Sequence, residues 1–190
     1  MIFPESLQHY WSGEFLIANG FIGLNLLGAL LLGTLVGYER SYQGRAAGMR
    51  TYGLVCMAST ALTIFSGFAP LWYGGQGPQA AVDPTHVVQG MLPGIGFLAA
   101  GVTMKDGLST RGLTTAASIW AVAAVGVLFG VGMYAAALIF ALLCALSMSL
   151  LHRLEAHLPG RAALDVTVTF CPGFKPDLQE VARIAEWRGY

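Results

Sequence analysis

Charged residues are scarce in this chain. Asp, Glu, Lys and Arg make up 11% of its 190 residues, and hydrophobic residues make up 55%. Soluble domains average about 25% charged residues, so this composition excludes an ordinary soluble domain. The longest stretch without any of the four, Gly112 to His152, runs for 41 residues. Because roughly 20 apolar residues cross the hydrocarbon core of a bilayer, that stretch has the length of two crossings and a tight turn.

Several motifs of catalysis are also missing. The sequence contains no P-loop, no HExxH, no CxxC and no GxSxG serine motif. Its three cysteines are far apart, and two of them, Cys56 and Cys144, lie in charge-free windows, so they indicate no disulfide framework. We therefore expect no enzymatic activity and no resident cofactor, with Mg²⁺ as the one candidate ligand.

The charge-free windows predict an all-α polytopic membrane protein with five transmembrane helices. The predicted helices are Phe15–Tyr38, Thr51–Trp72, Pro84–Met104, Gly112–Phe129 and Val131–Leu151. Small residues recur four apart within several of them, which places them on one helix face and predicts close packing between helices. Three such pairs are Gly33 with Gly37, Gly90 with Gly94, and Gly126 with Gly130.

The last part of the chain has a different character. Leu164 to Phe170 alternates apolar and polar residues like a strand, and Asp177 to Arg188 has the pattern of a short amphipathic helix capped by Asp177. We therefore divide the chain into a transmembrane domain, residues 1–158, and a short βα tail, residues 159–190. About 30 residues cannot bury a core of their own.

The distribution of charge predicts the orientation of these helices. If the loop from Glu39 to Arg50 is cytoplasmic, five crossings place all ten Lys and Arg residues on that side. The outer side then holds only Glu5, Glu14 and Asp83. The positive-inside rule therefore predicts an external amino terminus and a cytoplasmic tail.

The loop between the first two helices carries the densest group of charges, Glu39, Arg40, Arg45 and Arg50. Two interpretations stay open. The arginines can be topogenic, with one internal ion pair to Glu39. Alternatively, glycines make the loop a compact turn whose guanidinium groups hold an anionic headgroup, a phosphate or an acidic partner. In either case we predict that the four residues form one interacting cluster.

Asp83, followed by Pro84, has the pattern of a helix start, with the carboxylate as N-cap and proline in the first turn. The competing hypothesis makes Asp83 a metal ligand, a cation-accepting carboxylate at the outer mouth of the bundle with His86 one turn farther on.

Helix 3 contains Pro93, Gly94 and Gly96, which predict a kink or local unwinding in the middle of the membrane. Unwound carbonyls can line an ion path, whereas a plain packing kink explains the same residues. Gly94 and Gly96 would also let helix 4 approach helix 3 closely, through the hydroxyl-bearing side chains of helix 4. The residues assigned to this pathway or packing site are Pro93, Gly94, Gly96, Gly101, Arg111, Thr114, Thr115 and Ser118.

Three segments in order, GYERSYQGRAAGMRT (37–51), DPTHVVQGMLPGIGFLAAG (83–101) and RGLTTAASIW (111–120), resemble the signature blocks of the MgtC/SapB family of bacterial inner-membrane proteins. The similarity covers about Asn25 to Leu151. His86, Pro93 and Ala99 depart from the family pattern, which usually has Arg, a small polar or apolar residue, and Gly at these positions.

The resemblance implies a five-helix inner-membrane domain, often followed by a cytoplasmic ACT-like domain, of which the βα tail matches the beginning. It also implies roles in magnesium-limited growth, acid tolerance and intracellular survival of pathogens. The function expected is magnesium homeostasis and stress or acid adaptation through regulation of partner membrane proteins such as ATP synthase or transport ATPases. The alternative is a direct Mg²⁺ or other cation transporter or channel.

The expected partners are the lipid bilayer and other inner-membrane proteins, without nucleic acid. A glycine-rich helix face also leaves homodimerisation open.

Overall fold

The computed structural model describes residues 12–45, 47–67, 83–106, 109–155 and 177–187. Within these ranges the chain is mostly helical, as predicted, and the strands form one short hairpin. The elements are α1 (Gly13–Tyr42), α2 (Met49–Gly67), α3 (Pro84–Val102), β1 (Met104–Asp106), β2 (Ser109–Arg111), α4 (Leu113–Gly130), α5 (Tyr134–Glu155) and α6 (Leu178–Trp187). The chain divides into two compact units, Met1–Ala156 and His157–Tyr190, and α1 to α5 belong to the first.

Glycines in the left-handed conformation end two of these helices. Gly44 (φ 65°) follows α1 and Gly132 (φ 83°) follows α4. After α4, the amides of Gly132 and Met133 donate to the carbonyls of Phe129 and Leu128. This is a Schellman motif, which satisfies carbonyls that the end of a helix leaves without partners. The predicted tight link between the fourth and fifth helices is therefore present.

The connection from α3 to α4 was not predicted to contain strands. Met104 pairs with Arg111 and Asp106 with Ser109 in an antiparallel hairpin. Gly112, between β2 and α4, has a φ of 91°, and a Cβ there would collide with the carbonyl oxygen of Val102. Only glycine fits this reversal, which returns the chain directly alongside α3.

Helix α2 lies at the centre of the first unit, with its most extensive contacts to α1 and α4 and further contacts to α3. Its buried face is rich in hydroxyls: Ser59, Thr60, Thr63 and Ser66 are all buried. The outer face of α1, in contrast, exposes large apolar side chains such as Leu24, Leu31 and Leu35. Polar groups inside and apolar groups outside are the arrangement expected of a helix bundle in lipid.

Glycines let these helices approach closely. A Cβ on Gly33 of α1 would lie 2.6 Å from the Cβ of Cys56, and one on Gly37 would lie 2.9 Å from the Cα of Met49. On α4, a Cβ on Gly126 would collide with the carbonyl oxygen of Cys56, and one on Gly130 would lie 2.7 Å from the Cβ of Thr63. Close packing at these two glycine pairs is therefore confirmed.

Among the described residues, three helices are long and apolar enough to cross a membrane. They are Gly13–Tyr42, Thr85–Val102 and Leu113–Gly130, and Tyr134–Leu150 is a shorter apolar segment. Helix α2 is 19 residues long, and its hydroxyl-bearing residues together with Arg50 lower its hydropathy. Because its polar face packs against other helices, the low hydropathy follows from its central position.

In the second unit, α6 begins where the sequence predicts. The amide of Gln179 donates to the carboxylate of Asp177 at 3.0 Å, so the predicted Asp cap is confirmed. The predicted strand, residues 164–170, lies outside the described residues.

Candidate functional site

A buried arginine marks the end of the bundle where α1 finishes and α2 and α4 begin. Arg40 is 4% exposed. Its Nε donates to the Sδ of Met148 at 3.3 Å, and one terminal nitrogen donates to the carbonyl of Thr114 at 3.4 Å. The guanidinium also interacts electrostatically with the hydroxyl of Tyr52. Arg40 thus joins α1 to α2, α4 and α5 through a single side chain.

Tyr52 continues this polar contact into the centre of the bundle. Its hydroxyl, fully buried, hydrogen-bonds to the Oγ of Ser118. The Ser118 hydroxyl donates its one proton to the carbonyl of Thr115 at 2.8 Å. Because a serine hydroxyl has a single proton, Tyr52 must be the donor to Ser118, and its own oxygen is left to accept from Arg40. A directed chain therefore runs from the guanidinium to the backbone of α4.

A second hydroxyl joins α2 to α4 deeper in the bundle. The Oγ1 of Thr60 lies 3.0 Å from the carbonyl of Cys56 and 2.8 Å from the carbonyl of Gly126. The hydroxyl is therefore shared between a carbonyl of its own helix and one of the neighbouring helix. In lipid, all faces of a helix are apolar, so apolar contact alone does not select which faces meet. Hydrogen bonds between helices, such as this one, hold two particular faces together.

The turn after α1 holds Arg45 next to Arg40. The amide of Gly44 donates to the carbonyl of Ser41 and that of Arg45 to the carbonyl of Arg40, so this turn is also a Schellman motif. The hydroxyl of Ser41 accepts the amide of Met49 at 2.9 Å, which fixes the start of α2 against the end of α1. The positive φ of Gly44 therefore determines where the Arg45 side chain leaves the backbone.

Both arginines line a cavity of about 410 Å³ between α1, α4 and α5. Its polar lining consists of Arg40, Gln43, Arg45, Thr114, Ser118 and Ser147. The remainder is mainly apolar and includes Ala121, Phe140 and Leu143. The cavity therefore has a cationic end and an apolar side.

The four predicted cluster residues separate into two groups. Arg40 and Arg45 share the cavity, whereas Arg50 is exposed on the first turn of α2. Glu39 accepts a hydrogen bond from Gln43 at 3.0 Å. Among the described side chains no ion pair joins Glu39 to an arginine, so the predicted Glu39-centred cluster is corrected to an arginine pair. The reason is helical geometry: Glu39 and Arg40 are adjacent in sequence and leave α1 in different directions.

Asp83 caps α3, and this part of the prediction is confirmed. Its carboxylate accepts the amide of Thr85 at 2.9 Å. The pKa of Asp83 is lowered below its ordinary value, mainly by that hydrogen bond. A hydrogen bond from the side chain of Thr85 and the nearby His86 lower it further. Both Asp83 and His86 are exposed. Their role as a cation site stays a prediction.

Helix α3 is continuous through Pro93, so the predicted unwinding is absent. A Cβ on Gly94, Gly96 or Gly101 would meet nothing within 4 Å. The prediction that Gly94 and Gly96 let α4 approach closely is therefore wrong within this chain, because these glycines occupy the exposed side of α3. The side of α3 that faces α4 borders a second cavity, of about 350 Å³, lined by apolar residues such as Met91, Ile95 and Trp120.

Two of the residues predicted on helix 4 contact α1 and α2: the carbonyl of Thr114 accepts from Arg40, and Ser118 hydrogen-bonds to Tyr52. Thr115 and Ser118 are buried, and Thr114 contributes its carbonyl to Arg40. Arg111 ends β2 and is the last residue of the hairpin before the Gly112 turn.

Tyr52, Thr60 and Met148 were missed by sequence reasoning. Tyr52 directly follows the first signature block, and Thr60 sits four residues after Cys56 inside an apolar helix. An internal tyrosine or threonine in a predicted membrane helix is a signal for an interhelical hydrogen bond. Nothing in the sequence around Met148 distinguishes it from its apolar neighbours.

The described residues contain no group of three or more His, Cys, Asp or Glu side chains that could hold a metal ion. Within the described helices, the polar groups that are buried are one guanidinium and a set of hydroxyls. These groups connect helices and, at the cavity, present positive charge.

Apolar outer faces, hydroxyls turned inward and three helices of spanning length define a helical membrane protein. The profile of the MgtC family matches residues 26–157 of the chain. The chain belongs to the MgtC family, and this membership is consistent with a magnesium-related function.

Similar proteins include Protein MgtC of Brucella abortus (strain 2308), which is 43% identical over 108 residues, covering 57% of this chain and 42% of that protein. Protein MgtC of Salmonella typhimurium (strain LT2) is 42% identical over 115 residues, covering 60% of this chain and 46% of that protein. The chain therefore spans less than half the length of the curated relatives it matches. No solved structure matches it.

Proposed function

We propose that this chain is a bacterial inner-membrane protein that supports magnesium homeostasis and adaptation to stress or acid by regulating partner membrane proteins, such as ATP synthase or transport ATPases. Family membership supports the magnesium-related part of the proposal. The observation that favours regulation over transport is the burial of Arg40 between four helices.

A dehydrated Mg²⁺ ion requires oxygen ligands, most often carboxylates, and gives up its water reluctantly. In place of carboxylates, the described part of the bundle interior contains a positively charged guanidinium. At low dielectric this group repels a cation. The cavity beside α3 is apolar and offers no oxygen ligands along its described lining. Both features support a role for the buried polar groups in fixing the helices.

We further propose that α1 to α5 all cross the membrane, with the amino terminus periplasmic and the tail cytoplasmic. Helix α2 supplies 19 residues, which extend about 28 Å at 1.5 Å per residue, close to the thickness of the hydrocarbon core. The positive-inside rule supports this orientation. The tail is proposed as the beginning of an ACT-like domain, supported by α6 and its Asp177 cap.

Homodimerisation stays a proposal as well. The glycines at Gly33, Gly37, Gly126 and Gly130 already pack within the chain. A second copy would therefore have to use another face, and Gly90 with Gly94 form the pair on α3 that has open space around it.

One experiment separates regulation from transport. The full chain, reconstituted in liposomes, is tested for Mg²⁺ entry with an internal fluorescent indicator, and the same gene is tested for growth support at low magnesium. Regulation predicts growth support together with flux equal to that of protein-free liposomes. Saturable Mg²⁺ flux that is abolished by Asp83→Asn would contradict the proposal and establish the transport alternative.

Partner regulation is then measured in inverted membrane vesicles, as ATP-driven proton pumping with and without the chain. A change in pumping at equal ATP synthase content is the expected result. Unchanged pumping would exclude ATP synthase and direct the test to the transport ATPases.

A further inference from the structure

The cavity between α1, α4 and α5 is lined by a cationic group, Arg40, without an acidic side chain among the described residues of its lining. A guanidinium has five N–H donors, and those of Arg40 reach a thioether, a backbone carbonyl and the hydroxyl of Tyr52, all of them neutral acceptors. Among the described side chains, none that lines this cavity is acidic. Burying a charge without a counter-charge is unfavourable, because the charge loses its hydration and gains no attraction in exchange. The site therefore has a strong requirement for an anion.

The neighbouring arginine increases this requirement. Arg45 lines the same cavity, and its amide donates to the carbonyl of Arg40 at 3.1 Å, so the two backbones are fixed relative to each other. Two guanidinium groups that line one cavity make it electropositive, which favours an anion there. A phosphate group suits this position because its oxygens accept paired N–H bonds from arginine. Gln43, whose side-chain amide donates to Glu39, and Thr114 belong to the same lining.

The rest of the cavity indicates what the phosphate can be attached to. A volume of about 410 Å³ is larger than a phosphate needs and falls within the range of small-molecule sites, about 300 to 1,000 Å³. Ala121, Phe140 and Leu143 make one side apolar. An anionic phospholipid, with a phosphate headgroup next to an acyl chain, matches both ends, and free phosphate matches the cationic end alone.

We propose that the cavity between α1, α4 and α5 binds a phosphate group between Arg40 and Arg45, supplied by an anionic phospholipid or by free phosphate. The site goes beyond the proposed regulatory function, since phosphate binding does not require any partner protein. Arg40 provides the fixed, buried contact, and Arg45 provides the exposed contact that the ligand reaches first.

The test uses the full chain purified in detergent and titrated with short-chain phosphatidylglycerol, short-chain phosphatidylcholine or inorganic phosphate, with binding followed by native mass spectrometry. We expect one phosphatidylglycerol per chain and weaker retention of phosphatidylcholine. Loss of a charged hydrogen bond in Arg45→Gln should weaken binding about tenfold or more. Arg183→Gln, which removes the same charge from α6, is the matched control and should bind like the wild type.

Competition identifies the source of the phosphate. If inorganic phosphate displaces the lipid from the wild type at millimolar concentration, the site is a phosphate site that also accepts headgroups. If it does not, the apolar side of the cavity contributes and the ligand is a phospholipid. A Ser147→Leu variant, which narrows the cavity without changing charge, should weaken lipid binding and leave phosphate binding unchanged.

Arg40 is tested with its conservative variant, because its loss can disturb folding. Arg40→Lys retains the charge and loses the paired N–H geometry, so binding should fall while helix content measured by circular dichroism is maintained. No saturable binding of any phosphate probe, or equal binding by wild type, Arg45→Gln and Arg183→Gln, would overturn the proposal. Binding of an acidic peptide in place of every phosphate probe would also overturn it.

Discussion

Substitution of Gly33 by alanine should separate the two helices that make the most extensive contact in the bundle. A Cβ at Gly33 would lie 2.6 Å from the Cβ of Cys56, 2.6 Å from the carbonyl oxygen of Tyr52 and 3.0 Å from the Cα of Gly53. Non-bonded carbon atoms prefer a separation of about 3.5 to 4.0 Å, so α1 and α2 must move apart by roughly 1 Å. Two of these neighbours are backbone atoms, which cannot rotate out of the way.

The matched control is Gly94→Ala in α3, where a Cβ meets nothing within 4 Å. Both substitutions gain the same helix propensity, about 1 kcal/mol for alanine over glycine, so this contribution cancels in the comparison. The difference between the two variants therefore isolates the strain at Gly33. Overpacking typically costs about 1 to 3 kcal/mol, and we expect the upper part of that range.

The assay is equilibrium unfolding of the purified full chain in mixed micelles by sodium dodecyl sulfate, followed by far-ultraviolet circular dichroism. Gly33→Ala should unfold at a lower detergent fraction than Gly94→Ala, with a free-energy difference of about 2 to 3 kcal/mol. If the two variants are equally stable, the close contact of α1 with α2 does not hold the bundle together. A larger loss in Gly94→Ala would show that the exposed side of α3 is packed in the purified protein.

Three further predictions rest on individual contacts and a fourth on the predicted membrane topology. Tyr52→Phe removes the donor to the hydroxyl on α4 and should cost about 1 kcal/mol in the same unfolding assay, whereas no change would contradict the directed hydrogen-bond chain. Glu39→Gln should change stability by less than about 0.5 kcal/mol, because its described partner is a neutral glutamine one turn on, and a larger loss would restore the ion-pair hypothesis.

The carboxylate of Asp83 has a lowered pKa, so its contribution to stability is complete above the ordinary aspartate pKa and is lost as pH falls through the lower, folded value. Asp83→Asn should remove this contribution from the pH dependence of stability. If the variant and the wild type lose stability in acid in the same way, Asp83 makes no such contribution. Reporter fusions after Tyr10 and Leu158 should report opposite sides of the membrane, and a same-side result would contradict five crossings.

Local features of this protein follow from its sequence because they depend on neighbouring residues alone. The predicted start of α3 at Pro84 agrees with the structure, since an aspartate cap followed by proline acts within one turn. The same holds for the Asp177 cap of α6. The link at Gly132 follows from the conformational freedom of glycine at a helix end. Charge-free windows predicted the described helix ends of the first unit to within four residues, and the predicted end of the second helix, Trp72, lies outside the described residues.

The site was decided by contacts between residues far apart in the chain. Arg40 meets Thr114 across 74 positions and Met148 across 108, and Tyr52 meets Ser118 across 66. The sequence singled out Arg40 as a charged residue of the loop between the first two helices and Ser118 as a hydroxyl-bearing residue of helix 4. It could not pair them, because pairing depends on how each helix is rotated about its own axis.

Glycine shows the same division between sequence and tertiary structure. Gly33 with Gly37 and Gly90 with Gly94 have the same spacing, yet the first pair is buried against α2 and the second is exposed. In a soluble helix the apolar stripe would identify the inner face. In lipid both the inner and the outer faces are apolar, so the periodicity carries no such information. The sequence by itself therefore determined the helices and their caps, and only the packing of five helices decided which faces meet and placed two arginines at one cavity.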